Sequence, residues 1–318
     1  MHLVQTMAYA GEKPWHGIGN RLAAGQSIEE WRRQSGMDWA IEESEVRYIT
    51  GNNNVGVINA FPEQKVLYRS DTKAPLAVVS KRFKVVQPGE ILEFYRDLTA
   101  GNGFELETAG VLREGKKFWA LARTGQSVTL KGRDRVDGYL LLATACDGTL
   151  ATTAQFTSVR VVCNNTLSIA LGNSSGAIKV PHRSQFDPDA VKRQLGITVS
   201  AWDGFVARMK ALCEVQLAPD AVDDLLRRVL TYSVTESRDD VVNEQALASV
   251  RALYAGGGRG AMLASSRGTA WGVLNSVTEY VDHHRRARSD DHRREAAWFG
   301  QGAQLKQKAW EEVLSHVA

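Results

Sequence analysis

Nine basic side chains fall into three clusters suited to holding a polyanion: Lys81, Arg82 and Lys84; Arg113, Lys116 and Lys117; and Lys131, Arg133 and Arg135. Each cluster sits at the end of a β-prone run or in the loop beyond it. Cations at the ends of successive strands of one sheet line a groove that follows a phosphate backbone, and each neutralised phosphate releases counterions. Phe83, Phe118, Trp119 and Phe156 lie nearby in sequence and offer faces on which bases stack. The opposing reading is that strand ends carry Lys and Arg for solubility while the aromatics form core.

A second candidate is the run Thr157-Ser158-Val159-Arg160-Val161-Val162-Cys163-Asn164-Asn165-Thr166-Leu167. It reads as a Thr-rich strand joined to an apolar helix that begins near Asn164 or Asn165. A guanidinium beside free helix N–H groups and Asn side chains suits a phosphate, which singles out Arg160, Asn164 and Asn165. An ordinary N-cap with a structural Arg is the alternative. A third cluster, Asp282-His283-His284 with Asp290-Asp291-His292 beyond and Glu279 before it, has the residue types of a divalent-metal phosphoesterase. Against a metal, adjacent helical residues point about 100° apart, and Arg285, Arg286 and Arg288 intervene and repel a cation, so a solvated helix end or a further phosphate-binding strip is the opposing reading.

The sequence contains no GxxxxGK[ST] loop, no strand-linked GxGxxG, no GxSxG elbow and no HExxH, so neither nucleotide hydrolysis nor a cofactor is expected. Gly256-Gly257-Gly258-Arg259-Gly260 resembles a phosphate loop but lacks the Lys-Ser/Thr that would follow; it reads as a flexible joint. Cys146, Cys163 and Cys213 are an odd number at wide spacings, which excludes a fully paired disulfide framework and points to reduced thiols. With no basic leader and no long apolar run, the chain is expected to be cytoplasmic and not membrane-bound.

The elements that would position these residues follow from periodicity. Ser27 caps a short helix, with Glu30 completing a capping box and Gly36 as the stop. Val46–Ile49, Val55–Asn59, Val66–Ser70 and Leu76–Val79 are short strand-like runs forming an antiparallel meander. Pro88 opens one amphipathic helix that carries Ile91, Leu92, Tyr95 and Leu98 on a face and ends at Gly101. Strands then run over Phe104–Leu112, Lys117–Thr124 and Tyr139–Ala145. Beyond Pro181 helical spacing dominates, over Val191–Glu214, Ala218–Thr231, Val241–Tyr254, Thr269–His284 and Leu305–Ala318.

The fold class is therefore α+β: an antiparallel-sheet core with an embedded helix over residues 1–180, then a mostly helical part over 181–318. The net charge is only +3, and acidic and basic residues balance after Pro181, so the surplus lies in the first part. Any nucleic-acid site must be a local patch.

Three blocks in this order resemble the phage/plasmid-like proteins grouped as domain of unknown function 932: Ala8–Gly19 (AYAGEKPWHGIG), Val159–Leu167 (VRVVCNNTL) and Asn275–His283 (NSVTEYVDH). The resemblance spans nearly the whole chain. It implies a role in mobile-element DNA metabolism within a bacterial host, and brings no catalytic residues with it. The setting and the order of a strand-rich half before helices are similar, by analogy, to phage single-strand annealing recombinases of the RecT and Redβ kind. On this reading the chain is an oligomeric, ATP-independent single-stranded DNA-binding and annealing protein. Its phosphate contacts would be Lys81, Arg82, Lys84, Arg113, Lys117, Arg133 and Arg135, with Arg160, Asn164 and Asn165 fixing one group and Phe83 or Trp119 stacking. A host or phage replication protein is a further expected partner. The alternatives are a nuclease built on Asp282, His283 and His284, and a protein that binds a host defence factor.

Overall fold

The computed structural model describes residues 4–11, 19–51, 56–101, 103–160, 162, 165–168, 177–199, 201–233 and 240–317. The chain divides into two compact units: Met1–Gly125, Leu140–Gln155 and Ile178–Gln194 form the first, and Gln126–Tyr139, Phe156–Ala177 and Leu195–Ala318 the second. The class is α+β, with sheets in the N-terminal part and helices towards the C-terminus. No described helix is long and apolar enough to cross a membrane.

The first unit is built on a sheet. Strand β1 (Val4–Ala10) pairs parallel with β2 (Asn20–Leu22). Helix α1 (Ile28–Gln34) follows, and the Ser27 hydroxyl accepts from the Glu30 N–H as its spacing predicts. The Glu30 carboxylate does not return the bond; it is held by Arg33 and Gln34. Strands β3 (Ile41–Thr50), β4 (Val57–Arg69) and β5 (Pro75–Ser80) make a separate antiparallel meander in that order. The meander has three strands where four short runs are expected, because β4 carries its extra residues around Pro62 in a bulge that leaves pairing intact on either side.

Between Pro88 and Gly101 one helix is expected and two form, α2 (Pro88–Glu93) and α3 (Arg96–Gly101). The break falls at Phe94 and Tyr95, both fully buried. The Tyr95 hydroxyl lies 2.9 and 3.0 Å from the carbonyl oxygens of Ala120 and Leu140, so ring placement outweighs helix continuity. The main sheet continues with β6 (Glu105–Leu112), β7 (Lys117–Leu130), β8 (Asp134–Ala145) and β9 (Thr152–Arg160). Its order in this unit is β2-β1-β6-β7-β8-β9. Continuous burial over residues 117–122 of β7, and near-continuous burial along β8 and β9, marks the central strands as covered on both faces.

In the second unit the chain after β9 does not start a helix near Asn165. It forms strand β10 (Asn165–Ser168), antiparallel to β9, with Asn165 opposite Arg160 and Thr166 opposite Val159. Thr166 is anchored there by side chains from later helices, described below, and tertiary bonds decide against the N-cap preference of Asn. The chain then passes through the first unit, which holds β11 (Ala177–Val180) from Ile178 onward and the start of α4 (Pro188–Val199), and returns with α5 (Ala201–Glu214) and α6 (Pro219–Leu230). The buried set Val222, Leu225, Leu226, Val229 and Leu230 of α6 is one stripe of a 3.6-residue period.

A small hairpin, β12 (Thr231–Ser233) with β13 (Asp240–Val242), leads to α7 (Glu244–Ala252) and then α8 (Ala270–Glu279), every residue of which is buried. A helix buried on all sides belongs at the centre of its unit, and its polar Asn275, Ser276 and Thr278 donate to carbonyls of the helix itself. Helix α9 (Asp290–Phe299) lies where no helix is expected from periodicity, and α10 (Gln301–Leu314) packs against α6, α8 and α9. Trp310 of α10 and Phe205 of α5 pack with ring centroids 5.2 Å apart.

Candidate functional site

The basic clusters meet different fates. After β5 the chain turns sharply: the Phe83 N–H donates to the Ser80 carbonyl at 2.9 Å and the Lys81 N–H to that of Glu63 at 2.9 Å. Lys81, Arg82 and Lys84 are left exposed around a half-buried Phe83. Phe83 stacks on His182, with ring centroids 4.3 Å apart and planes 21° from parallel. The imidazole is fixed from behind, its Nε2 lying 2.8 Å from the Leu150 carbonyl oxygen and its Nδ1 3.3 Å from that of Lys84. Arg183, also exposed, follows directly. The first unit thus carries a rigid aromatic pair with four exposed cations beside it in the chain, and sequence reading found all of these but His182 and Arg183. Their signal is weak, because a lone His-Arg after a Pro is unremarkable until the turn brings it to Phe83.

The second cluster is divided between surface and interior. Arg113 and Glu114 adopt φ of 53° and 58°, and with Gly115 form a tight left-handed turn between β6 and β7. Arg113 and Lys116 are half-buried, but Lys117 is buried and unavailable to a phosphate on the surface. Trp119, expected to stack on a base, is core as well: a Cβ at Gly110 would lie 2.2 Å from its ring, which shows how closely the indole covers that strand. Phe118 and Phe156 are likewise buried.

The third cluster belongs to the second unit. Lys131 Nζ lies 3.0 Å from the Glu214 carboxylate, Arg135 Nε donates to Asp137 at 2.7 Å, and Arg133 is exposed. Arg160 corrects the expectation of an anion site on β9. Its guanidinium is buried and bidentate to Asp134, with Nε at 2.6 Å and Nη2 at 2.7 Å from the two carboxylate oxygens. Nη2 also donates to the Ser266 hydroxyl at 2.7 Å. Asp134 is further satisfied by the Ser265 hydroxyl at 2.6 Å and the Trp271 indole N–H at 3.0 Å. Such a saturated fork has no room for a phosphate, and it ties the start of β8 to α8. Asn164, and the side chain of Asn165, lie outside the described residues.

The acidic cluster is also taken up. Asp282 accepts from the Thr166 N–H at 2.7 Å and from Lys306 Nζ at 2.8 Å, and Lys306 donates to the Thr166 hydroxyl at 2.7 Å. Lys306 is buried, so its charge needs that partner. Glu279, buried too, accepts from the Arg259 backbone N–H at 3.0 and 3.1 Å. A Cβ at Gly258 would meet a Glu279 oxygen at 2.9 Å. The glycine cluster therefore does cradle an anion, and the anion is the protein's own carboxylate. His284 stands 3.9 Å from Glu279 and is half exposed. Among the described residues no three His, Cys, Asp or Glu side chains gather where they would hold a metal ion.

Cavities also open among the described residues. One of about 420 Å³ in the first unit is bordered by Gly11, Trp31, Thr99, Glu105 and the ion pair of Glu107 with Arg123. Another, of about 270 Å³ in the second unit, lies between the turn after α8, helix α9 and the start of α10, and its walls include Arg285, Arg286 and Arg293. Arg285 donates through Nη2 to the Gln301 side chain at 3.0 Å, while its Nη1 is buried without an acceptor. Arg285 and Arg286 of the basic strip expected to hold a phosphate thus line a recess, joined by Arg293, which the sequence spacing did not single out.

Among curated proteins and among solved structures nothing matches the chain, so no relative bears on the analogy to annealing recombinases. A family model described as a domain of unknown function, DUF932, matches residues 75–298, from β5 to α9, and the chain belongs to that family.

Proposed function

We propose that the protein binds single-stranded nucleic acid and promotes its annealing without ATP, in the recombination or replication of a phage or plasmid. The observation that supports this best is the Phe83–His182 stack with Lys81, Arg82, Lys84 and Arg183 exposed beside it. An unpaired base has a free π-face and duplex bases do not, so a half-buried aromatic pair with exposed cations beside it in the chain favours single strands. Lys and Arg at the same turn would meet the phosphates on either side of the stacked base and release their counterions. Arg133 and the recess walled by Arg285, Arg286 and Arg293 supply further phosphate contacts in the second unit.

The test is fluorescence anisotropy of a labelled single-stranded oligonucleotide across a salt series, with duplex as competitor. Binding should weaken steeply with salt and resist duplex. Phe83→Ala should cost about 1–3 kcal/mol, the range for loss of one stacked base. Arg82→Ala should instead lower the salt slope by about one without altering base preference. No binding at low salt, or equal affinity for duplex, overturns the proposal.

A further inference from the structure

Among the described residues the β3–β4–β5 meander leaves one long strand edge without a neighbour: β3 pairs with β4 and with no other strand, so its outer edge is open beyond Ile41. The Ser70 N–H donates to the Ala40 carbonyl, which turns Ala40 towards β4 and Ile41 away from it. Ile41 confirms the alternation: its N–H and C=O are both capped by the Gln87 side chain, at 2.7 and 3.1 Å. Continuing outward in steps of two, Glu43, Glu45, Arg47 and Ile49 present their N–H and C=O groups to the open edge. The bulge in this pairing is carried by β4, so β3 stays regular across it.

The far half of the ribbon is also unusually apolar for a surface. Tyr48, Ile49, Val57, Ile58 and Phe61 are 49%, 73%, 63%, 64% and 42% exposed. Natural edge strands are normally blunted by Lys, Pro or a covering element, and among the described residues this one is capped at Ile41 alone.

We propose that β3 is a self-association edge, pairing antiparallel with β3 of a second copy about a two-fold axis at Val46. The charges select this register. It places Glu45 of each copy opposite Arg47 of the other, giving two symmetric cross-strand ion pairs. An axis at Ser44 would oppose Glu43 and Glu45, one at Glu45 would set that residue against itself, and one at Arg47 would do the same with two guanidinium groups. Within one chain Arg47 and Glu45 already pair at 3.1 Å on one face of the strand and are 64% and 71% exposed, so both are oriented and accessible. On the other face, Tyr48 of each copy would lie diagonal to Val46 of its partner, covering apolar surface that is otherwise wet. The two Val46 residues would form a non-hydrogen-bonded pair, the closest approach two strands make.

That approach gives a direct test on the full-length protein without nucleic acid, independent of the proposed function. Val46→Cys should form a covalent dimer under mild oxidation on a non-reducing gel, while Ser44→Cys, facing Tyr48 of the partner, should not. The unmodified chain, run alongside, gives the background from its own cysteines. By sedimentation the unmodified protein should dimerise with concentration, Arg47→Glu and Glu45→Arg should each weaken the dimer at least tenfold, and the two together should restore it. Melting curves check that each variant is folded. A protein monomeric at every concentration, a Val46→Cys chain that never cross-links, or a double variant no better than the singles overturns the proposal.

Discussion

At the scale of single residues, buried charge in the second unit serves architecture. Asp134 is the hub: one carboxylate accepts from Arg160, Ser265 and Trp271, and each donor comes from a different point of the chain. The sequence shows Arg160 plainly, as a lone guanidinium among Val and Thr, and such an Arg needs either a ligand or a carboxylate. Its carboxylate was hidden because Asp134 sits between Arg133 and Arg135, where it reads as part of a cationic loop. Removing one partner from a buried pair strands the other, at a cost of about 3–5 kcal/mol. Asp134→Asn should therefore destabilise by about that much in urea unfolding followed by circular dichroism, because the neutral amide leaves the buried Arg160 charge without its counter-charge. A loss below 1 kcal/mol would mean that water reaches the Arg160 fork and that the cluster is not sealed.

At the scale of elements, what the sequence revealed depended on whether local pattern or distant contacts decided the outcome. Helix α6 follows from its stripe and α1 from Ser27, because a periodic face and a cap are local signals. The break at Tyr95 and the strand at Thr166 were not readable, since they rest on carbonyls at Ala120 and Leu140 and on Asp282 and Lys306. Of the expected binding residues, Lys81, Arg82, Phe83 and Lys84 are on the surface, whereas Trp119 and Lys117 are interior because β7 is central in its sheet. The glycine cluster shows the same limit. Its composition reads as a joint, yet a wide helical turn at Leu253–Gly257 leads into a tight approach of Gly258 to Glu279. Gly258→Ala should push Glu279 off the Arg259 N–H and destabilise by roughly 1–3 kcal/mol, the cost of an unsatisfied buried acceptor. Gly204→Ala, where a Cβ meets nothing, should be neutral or stabilising in the same thermal melt. If both variants melt alike, the loop yields and does not clamp the carboxylate.

At the scale of the whole molecule, each compact unit carries one described, buried thiol, Cys146 in the first and Cys213 in the second. Burial pushes each up from the usual 9.0 to about 12, so neither is a nucleophile at neutral pH. The same burial links both units to alkaline pH. Below pH 9 a thiol is protonated whether the chain is folded or not, and its contribution to stability is fully present. Between pH 9 and about 12 the unfolded chain releases the proton while the folded one retains it, so stability falls as pH rises. Tyr95, raised well above its usual 10.0 by complete burial, acts in the same direction at the upper end. Denaturant midpoints measured from pH 8 to 11 should therefore decline, and Cys146→Ala with Cys213→Ala should flatten the decline while lowering the plateau through the small cavities left behind. Tyr95→Phe separates the phenol from the thiols: losing the hydroxyl's bonds to Ala120 and Leu140 lowers the midpoint at every pH, and only the steepest end of the curve also changes slope. An unchanged slope in the double alanine variant would show that the thiols ionise in place and that both cores admit water.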